Sequence, residues 1–398
     1  MRALIAWGRF GDRGGQRVTV PGPHSTPPAE YLWDFLRHTD TSMFDALQLP
    51  PASMTQSHAA QTGDGYGVEQ RRWMGSPTDP TAYGYSENLM ALIAAKHAEG
   101  TEIWCDMPLH QTAALYSRYL GADRKTWNGR GAQAKGWIRG QQSPILDAEG
   151  KFVGWNDPIP PYAQRDPVPD PNNDFAFGAE WVYENCTPQG ASLADTIEWV
   201  RWFDAKYGAD EYRADDGKGV NPRAMRRIMD AIGKPWNAEY FDNVQNSLWW
   251  QSTAPISGRC GLLDFDFHWR MQAACNSYDA RLIEPGGSLG DTHPDIAYRF
   301  LDNPDTDTSR GTDGGIGQQI VFNKMLGYTL LLNMPARAAM VYGKDYFPAS
   351  VWPGAYGLKP LLDNLLYISG MYAWGKFQRR WVDKDVYAFT RDGNGGNL

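Results

Sequence analysis

The sequence predicts an α/β protein built on a closed barrel of eight parallel strands, each followed by a helix. Two observations point there. Short apolar runs alternate with amphipathic stretches along most of the chain, the pattern of parallel strands covered by helices. Carboxylates recur where several of those runs end, and such barrels carry their chemistry at the carboxyl ends of the strands. At 398 residues the chain is long enough for a large core in one or two domains.

The elements follow in order. Ala3–Trp7 reads as the first strand, and a Pro/Gly-rich loop, Pro21–Pro28, leads to a helix at Glu30–Arg37. Ala46–Leu49 is the second strand; a long loop carrying Tyr66 precedes a helix near Ser86–Glu99. Glu102–Asp106 is the third strand. Ser192–Tyr207 reads as a helix because Leu193, Ile197, Val200 and Phe203 share one face. Strands four and five end near Asp215 and Glu239, with a helix at Pro222–Ile232 between them; Pro222 suits a first helical turn. Gly261–Phe265 and Ala297–Leu301 are strands six and seven. Gln318–Leu332 reads as a helix, Ala338–Tyr342 as strand eight and Leu358–Tyr372 as the last helix. The sum is a (β/α)8, or TIM, barrel.

Roughly 80 residues between the third strand and the Ser192 helix lack barrel periodicity and are rich in Gly, Trp and Pro. A connection that long inside a compact domain usually has a function. After Gly375 the pattern changes to strand-like alternation, with Arg380, Trp381 and Val382 followed by Val386 to Phe389.

Composition narrows the function classes. The formal charge is −8 and no long basic run occurs, which argues against nucleic acid as a partner. The longest apolar runs fall short of the ~20 residues of a membrane helix. Leu4–Trp7 is too short for a signal peptide, and the site of action stays open. Aromatics make up 13% of residues; core and loop packing is expected to take about two-thirds of them, leaving the rest for flat apolar ligand faces. The four cysteines, Cys105, Cys186, Cys260 and Cys275, show no C-x-x-C spacing, so a zinc site is not expected. The seven histidines show no metal-binding pairing either.

Three segments carry the chemistry. Glu211–Val220 reads E-Y-R-A-D-D-G-K-G-V, with Arg213 two residues before Asp215. W-N-A-E-Y-F-D places Glu239 at the end of the next strand, and F-L-D-N-P-D-T places Asp305 after strand seven. Carboxylates at the ends of separate strands suit glycosidic bond cleavage, where one attacks and one donates a proton. A loop or helix-capping role is the plainer reading of each one alone.

These segments resemble the motifs of the α-amylase family, glycoside hydrolase family 13, over nearly the whole chain. The family's G-F-R-x-D-x-x-K-H resembles the stretch with Arg213, Asp215 and Lys218; Gly219 replaces the histidine. Its acid motif resembles Ala238–Asp242, and F-V-D/E-N-H-D resembles Phe300–Asp305. Its D-V-V-x-N-H resembles Asp106–Gln111, and its G-Y-G-V-Y-D resembles the stretch containing Tyr66.

The resemblance implies a retaining enzyme acting on α-glucans such as starch or maltooligosaccharides. Asp215 would be the nucleophile, Glu239 the acid and base, and Asp305 the group holding the distorted sugar. Arg213 would orient Asp215, Asp106 would brace Arg213, Tyr66 would stack on the sugar, and Lys218 would reach the leaving side. His110, Gln111 and Asn303 would line the substrate site. Residues 1–110 and 191–375 would form the barrel, 111–190 the family's domain B, and 376–398 the start of a truncated C-terminal β-sandwich. The chain would act as a monomer on its saccharide. An α-glucosyl transferase, or a barrel that binds sugar without turnover, stays open.

Three family histidines are absent: Gln111, Gly219 and Pro304 stand in their places. His58, Tyr66 or a tryptophan of the insertion is expected to refill the pocket. No cofactor is required by this chemistry. The family's calcium site has an asparagine where this chain has His110, and imidazole is a poor calcium ligand. The oxygen-rich stretch Asp170–Asp174 leaves a structural calcium ion open.

Overall fold

The computed structural model describes residues 1–7, 31–55, 65–78, 80–81, 83–112, 119–120, 127–128, 138–139, 143–146, 152–156, 179–181, 183, 191–253, 256–283, 286–307, 318–349 and 355–393. Eight parallel strands close into a barrel. They are β1 (Arg2–Ile5), β2 (Ala46–Leu49), β3 (Glu102–Pro108), β4 (Glu211–Asp215), β5 (Trp236–Ala238), β6 (Cys260–Leu263), β7 (Ala297–Phe300) and β8 (Ala338–Tyr342). Each pairs with its neighbours in sequence, and β1 closes the ring on β8 with Ala3 opposite Met340. The strands are almost wholly buried, which is why they read as continuous apolar runs rather than alternations.

One principal helix follows each strand: α1 (Leu32–His38), α2 (Ser86–Glu99), α3 (Ala191–Tyr207), α4 (Pro222–Ile232), α5 (Val244–Thr253), α6 (Phe265–Ser277), α7 (Lys324–Asn333) and α8 (Lys359–Tyr372). Local chemistry sets several ends. The Asn221 side chain caps α4 by accepting from the Arg223 amide at 2.9 Å, Pro222 occupies the first turn, and Gly233 ends it in the left-handed region.

Several boundaries shift by one or two residues from the sequence reading: the first strand ends at Ile5 rather than Trp7, and the third runs on to Pro108. Two further differences have a visible cause. Strand β6 stops at Leu263 because the Asp264 carboxylate accepts from the Phe267 amide, so Phe265 begins a helix. The expected helix from Gln318 starts only at Lys324. The Ile320 amide is taken by Asp302, those of Val321 and Phe322 by Asn276, and Asn323 sits at φ 52. Those amides serve tertiary partners instead of a helical turn.

Between β3 and α3 the described residues form short antiparallel pairs outside the barrel. Gln111–Thr112, Ala179–Trp181 and Ile138–Arg139 make one sheet; Ser143–Leu146 pairs with Phe152–Asn156. The Trp181 amide donates to the His110 carbonyl at 2.9 Å, which ties the far end of the insertion to the end of β3. Near the C-terminus, Phe377–Val382 and Tyr387–Arg391 form an antiparallel hairpin. No described helix is long and apolar enough to cross a membrane.

Candidate active site

The carboxyl ends of β3, β4 and β5 bring three carboxylates onto one guanidinium. In the barrel register Arg213 of β4 lies opposite Asp106 of β3 and Asn237 of β5. The alternation along β4 points Arg213 and Asp215 the same way. Arg213 Nη1 donates to Asp106 and, at 3.1 Å, to Asp215 Oδ1. Its Nη2 reaches Glu239 Oε2 at 2.7 Å. All four residues are buried, with Glu239 the most exposed at 8%. Glu239 sits just past β5, where its own amide donates to the Ala214 carbonyl.

Three acids around one base leave the cluster short of positive charge, and burial penalises each ionised carboxyl. Burial pushes the Asp106 carboxyl up to about 6, against the pull of Arg213. It raises Asp215 well above the usual carboxylate range, again with Arg213 opposing and Asp106 and Glu239 adding to the rise. The guanidinium orients Asp215, but burial outweighs its electrostatic effect.

The turn after the nucleophile candidate is fixed from two sides. Asp216 adopts φ 43; its amide donates to Glu239 Oε2 at 3.3 Å, and its carboxylate pairs with His110 Nδ1. Gly219 explains the lost histidine at that position. A Cβ there would lie 2.3 Å from the His110 ring. The imidazole at 110 and a side chain at 219 would therefore compete for one volume.

The other expected site residues divide. Tyr66 is half-buried, donates to Asp106 Oδ2 at 2.8 Å and leans on Trp7 with ring centroids 5.3 Å apart. Gln111 Nε2 donates to Asp215 Oδ2 at 2.5 Å, directly on the nucleophile candidate. Asp305 is exposed and lines a small cavity with Arg213, Asn303 and Pro304. Asn303 turns its carboxamide oxygen to the amides of Asp305 and Thr306, both at 2.9 Å, and so shapes the loop. Lys218 stands apart from the cluster: it pairs with Asp242 at 2.8 Å and donates to the Phe241 carbonyl. His58 lies outside the described residues.

Sequence reasoning missed Asp216, although its place in the D-D-G turn was the available signal. It also missed Trp7 and Gln48, which line the cavity beside Arg213 and Asp305. A larger cavity, about 340 Å³, lies at the opposite end of the barrel, remote from these carboxylates. Its Lys234 and Arg259 are already paired with Asp204 and Asp230.

A calcium ion needs several oxygen ligands. His110 instead offers an imidazole engaged by Asp216, so the residues at this point do not fit one. Among the described residues no group of three or more His, Cys, Asp or Glu could hold a metal. Asp170–Asp174 lies outside them. Cys105, Cys260 and Cys275 are free and buried, and burial raises each thiol.

No family model matches the chain. Among curated proteins, it is 23% identical over 386 residues to an α-amylase of Geobacillus stearothermophilus, covering 87% of this chain and 68% of that protein. It is likewise 23% identical over 401 residues to a glucan 1,4-α-maltohexaosidase of Bacillus sp. (strain 707), covering 88% and 73%. Among solved structures, an Anoxybacillus α-amylase superposes with a TM-score of 0.63 at 14% identity, over 100% of this chain and 83% of that one.

Proposed function

The chain is a divergent member of the α-amylase family, and from that premise we propose that it hydrolyses α-glucans, starch or maltooligosaccharides, with retention at the anomeric carbon. The observation that carries this reading is the convergence of Asp106, Asp215 and Glu239 on Arg213 at the carboxyl ends of the strands. Asp305 lines a cavity with that same arginine. We assign residues 1–110 and 191–375 to the barrel, 111–190 to an inserted domain, and 376–398 to a C-terminal β-unit.

In this mechanism Asp215 attacks the anomeric carbon while Glu239 gives its proton to the leaving oxygen. The covalent glycosyl-enzyme is then cleaved by water that Glu239 deprotonates. Arg213 and Gln111 hold both Asp215 oxygens, which fixes the direction of attack. The first step needs Asp215 ionised and a proton on Glu239. Asp305 supports the sugar hydroxyls as the ring flattens. Asp106 Oδ1 and Gln111 Oε1 are buried with no partner among the described residues, and a substrate hydroxyl satisfies such acceptors.

Replacing Glu239 by Gln tests the assignment. Turnover of maltooligosaccharides is expected to fall by about 10²–10⁴-fold, because protonation of a poor leaving group is lost. Cleavage of an α-glucosyl fluoride, which needs no such proton, is expected to be spared in its first step. Equal losses on both substrates would remove Glu239 from the acid role. Chromatography of the products, with water and with a sugar acceptor present, separates hydrolysis from transfer.

A further inference from the structure

The cavity beside Asp305 is lined by Trp7, Gln48, Arg213 and Asn303 together with apolar side chains such as Ile5 and Phe300. Its volume is about 10 Å³, room for one water-sized group and no more. Trp7 and Gln48 are each only 3% exposed. The Trp7 indole N–H and the Gln48 carboxamide oxygen have no hydrogen-bond partner among the described residues. One is a donor only and the other an acceptor only. Much of the rest of the lining is aliphatic or aromatic, where an unsatisfied polar group costs about 1–3 kcal/mol.

Gln48 is held in β2 opposite Ile5 of β1 and Trp104 of β3, so its backbone is fixed by ladders on both sides. Trp7 follows β1 directly and packs on Tyr66, whose hydroxyl is bound to Asp106. Both side chains are thereby tied to the elements that hold the carboxylates. A charged group would not suit this neutral pair, and an apolar group would leave both atoms unsatisfied. A hydroxyl satisfies both, because it accepts from an N–H and donates to a C=O at once.

We propose that Trp7 and Gln48 form a hydroxyl-recognition point in the floor of the sugar pocket, gripping one hydroxyl of the glucosyl unit that Arg213 and Asp305 hold at the cleavage point. This rests on the α-glucan reading above. The ring itself stays in the open cleft, and a single hydroxyl enters the cavity. The pair supplies hydrogen bonding near the place where Gln111 and Pro304 have replaced histidines.

The test combines Trp7→Phe and Gln48→Met with methyl α-maltoside and its analogues deoxygenated singly at C2, C3 or C6 of the non-reducing glucosyl unit. Calorimetry gives affinity, kcat and KM are measured separately, and melting temperature checks folding. The intact protein is expected to lose about 5- to 100-fold in affinity on one deoxy analogue. Each variant should lose a similar factor on the parent sugar and lose nothing further on that analogue, with KM moving more than kcat. Variants that bind the parent sugar like the unaltered protein overturn the proposal, as do losses spread evenly over all analogues. The second pattern would identify the cavity as a structural water site. Gln48→Met carries the test alone if Trp7→Phe fails to fold. If the unaltered protein binds maltosides without cleaving them, the hydrolase reading fails while the recognition point stands. If it binds none, both fail.

Discussion

The two sides of the barrel mouth place their carboxylates by opposite means. On the β3–β5 side, Asp106, Asp215 and Glu239 sit at or just past strand ends, buried, and meet on the single Arg213 guanidinium. On the β7 side, Asp305 is exposed on a loop, and the charges that position it lie beneath. Asp302 is bound by Lys324 at 2.6 Å, and Lys324 also reaches Asp345 at 2.8 Å. Asp307, at the other end of the same loop, meets Lys344 at 2.7 Å. The loop is thus anchored at both flanks by buried ion pairs, with the Asn303 side chain forming the turn between them. Direct burial tunes the proton affinity of a carboxylate. Anchoring from below fixes position and leaves the Asp305 carboxylate in contact with solvent.

The largest effect expected from breaking this contrast comes from Lys324→Met. It strands Asp302 and Asp345 in the interior, and removing one partner of a buried pair costs about 3–5 kcal/mol. Chemical denaturation should show that loss, and kcat should fall because Asp305 loses its fixed position. An unchanged denaturation midpoint would mean that the loop is held by something else.

A smaller effect is expected on the opposite side. Gly219→Ala drives a methyl into the His110 ring and should destabilise by about 1–3 kcal/mol, the range for overpacking a filled site. Adding His110→Ala should recover part of that loss. Simple additivity in the double-mutant cycle would show that backbone and ring do not meet as described.

The smallest expected effect is on the pH dependence of stability. The Asp106 carboxyl titrates at about 6 in the folded protein, against an ordinary value near 4. Its raised value means that the folded state holds the proton more tightly than the unfolded chain. That contribution to stability is fully present below about pH 4 and is lost as pH rises through about 6. Asp106→Asn removes the titrating group, so melting temperatures from pH 4 to 7 should trace a flatter profile. An unaltered slope would place the proton on another member of the cluster.

The differences between expected and observed elements have specific causes. Apolar runs between turn residues are local signals, and β2, β8, α2 and α4 have the bounds that their periodicity and caps indicate. Residues 318–323 are apolar enough to read as helix, but their amides are captured by Asp302 and Asn276, which no local pattern reveals. The late start of α7 is therefore a tertiary effect.

At the candidate site, strand-end position pointed to Asp215 and Glu239, with Arg213 two residues before Asp215, and the resemblance of Asp106–Gln111 to a family motif added Asp106. Set against the family motifs, the sequence carries Gln111, Gly219 and Pro304 where those motifs have histidine. Only the fold could explain one of them. His110 comes from β3 and Gly219 from the turn after β4, and their competition for one volume arises when those strands pair. The same holds for the raised proton affinity of Asp106 and Asp215, which depends on burial and on sharing one cation. A sequence specifies which groups each strand carries; distances, burial and shared partners between strands exist only once the barrel has closed.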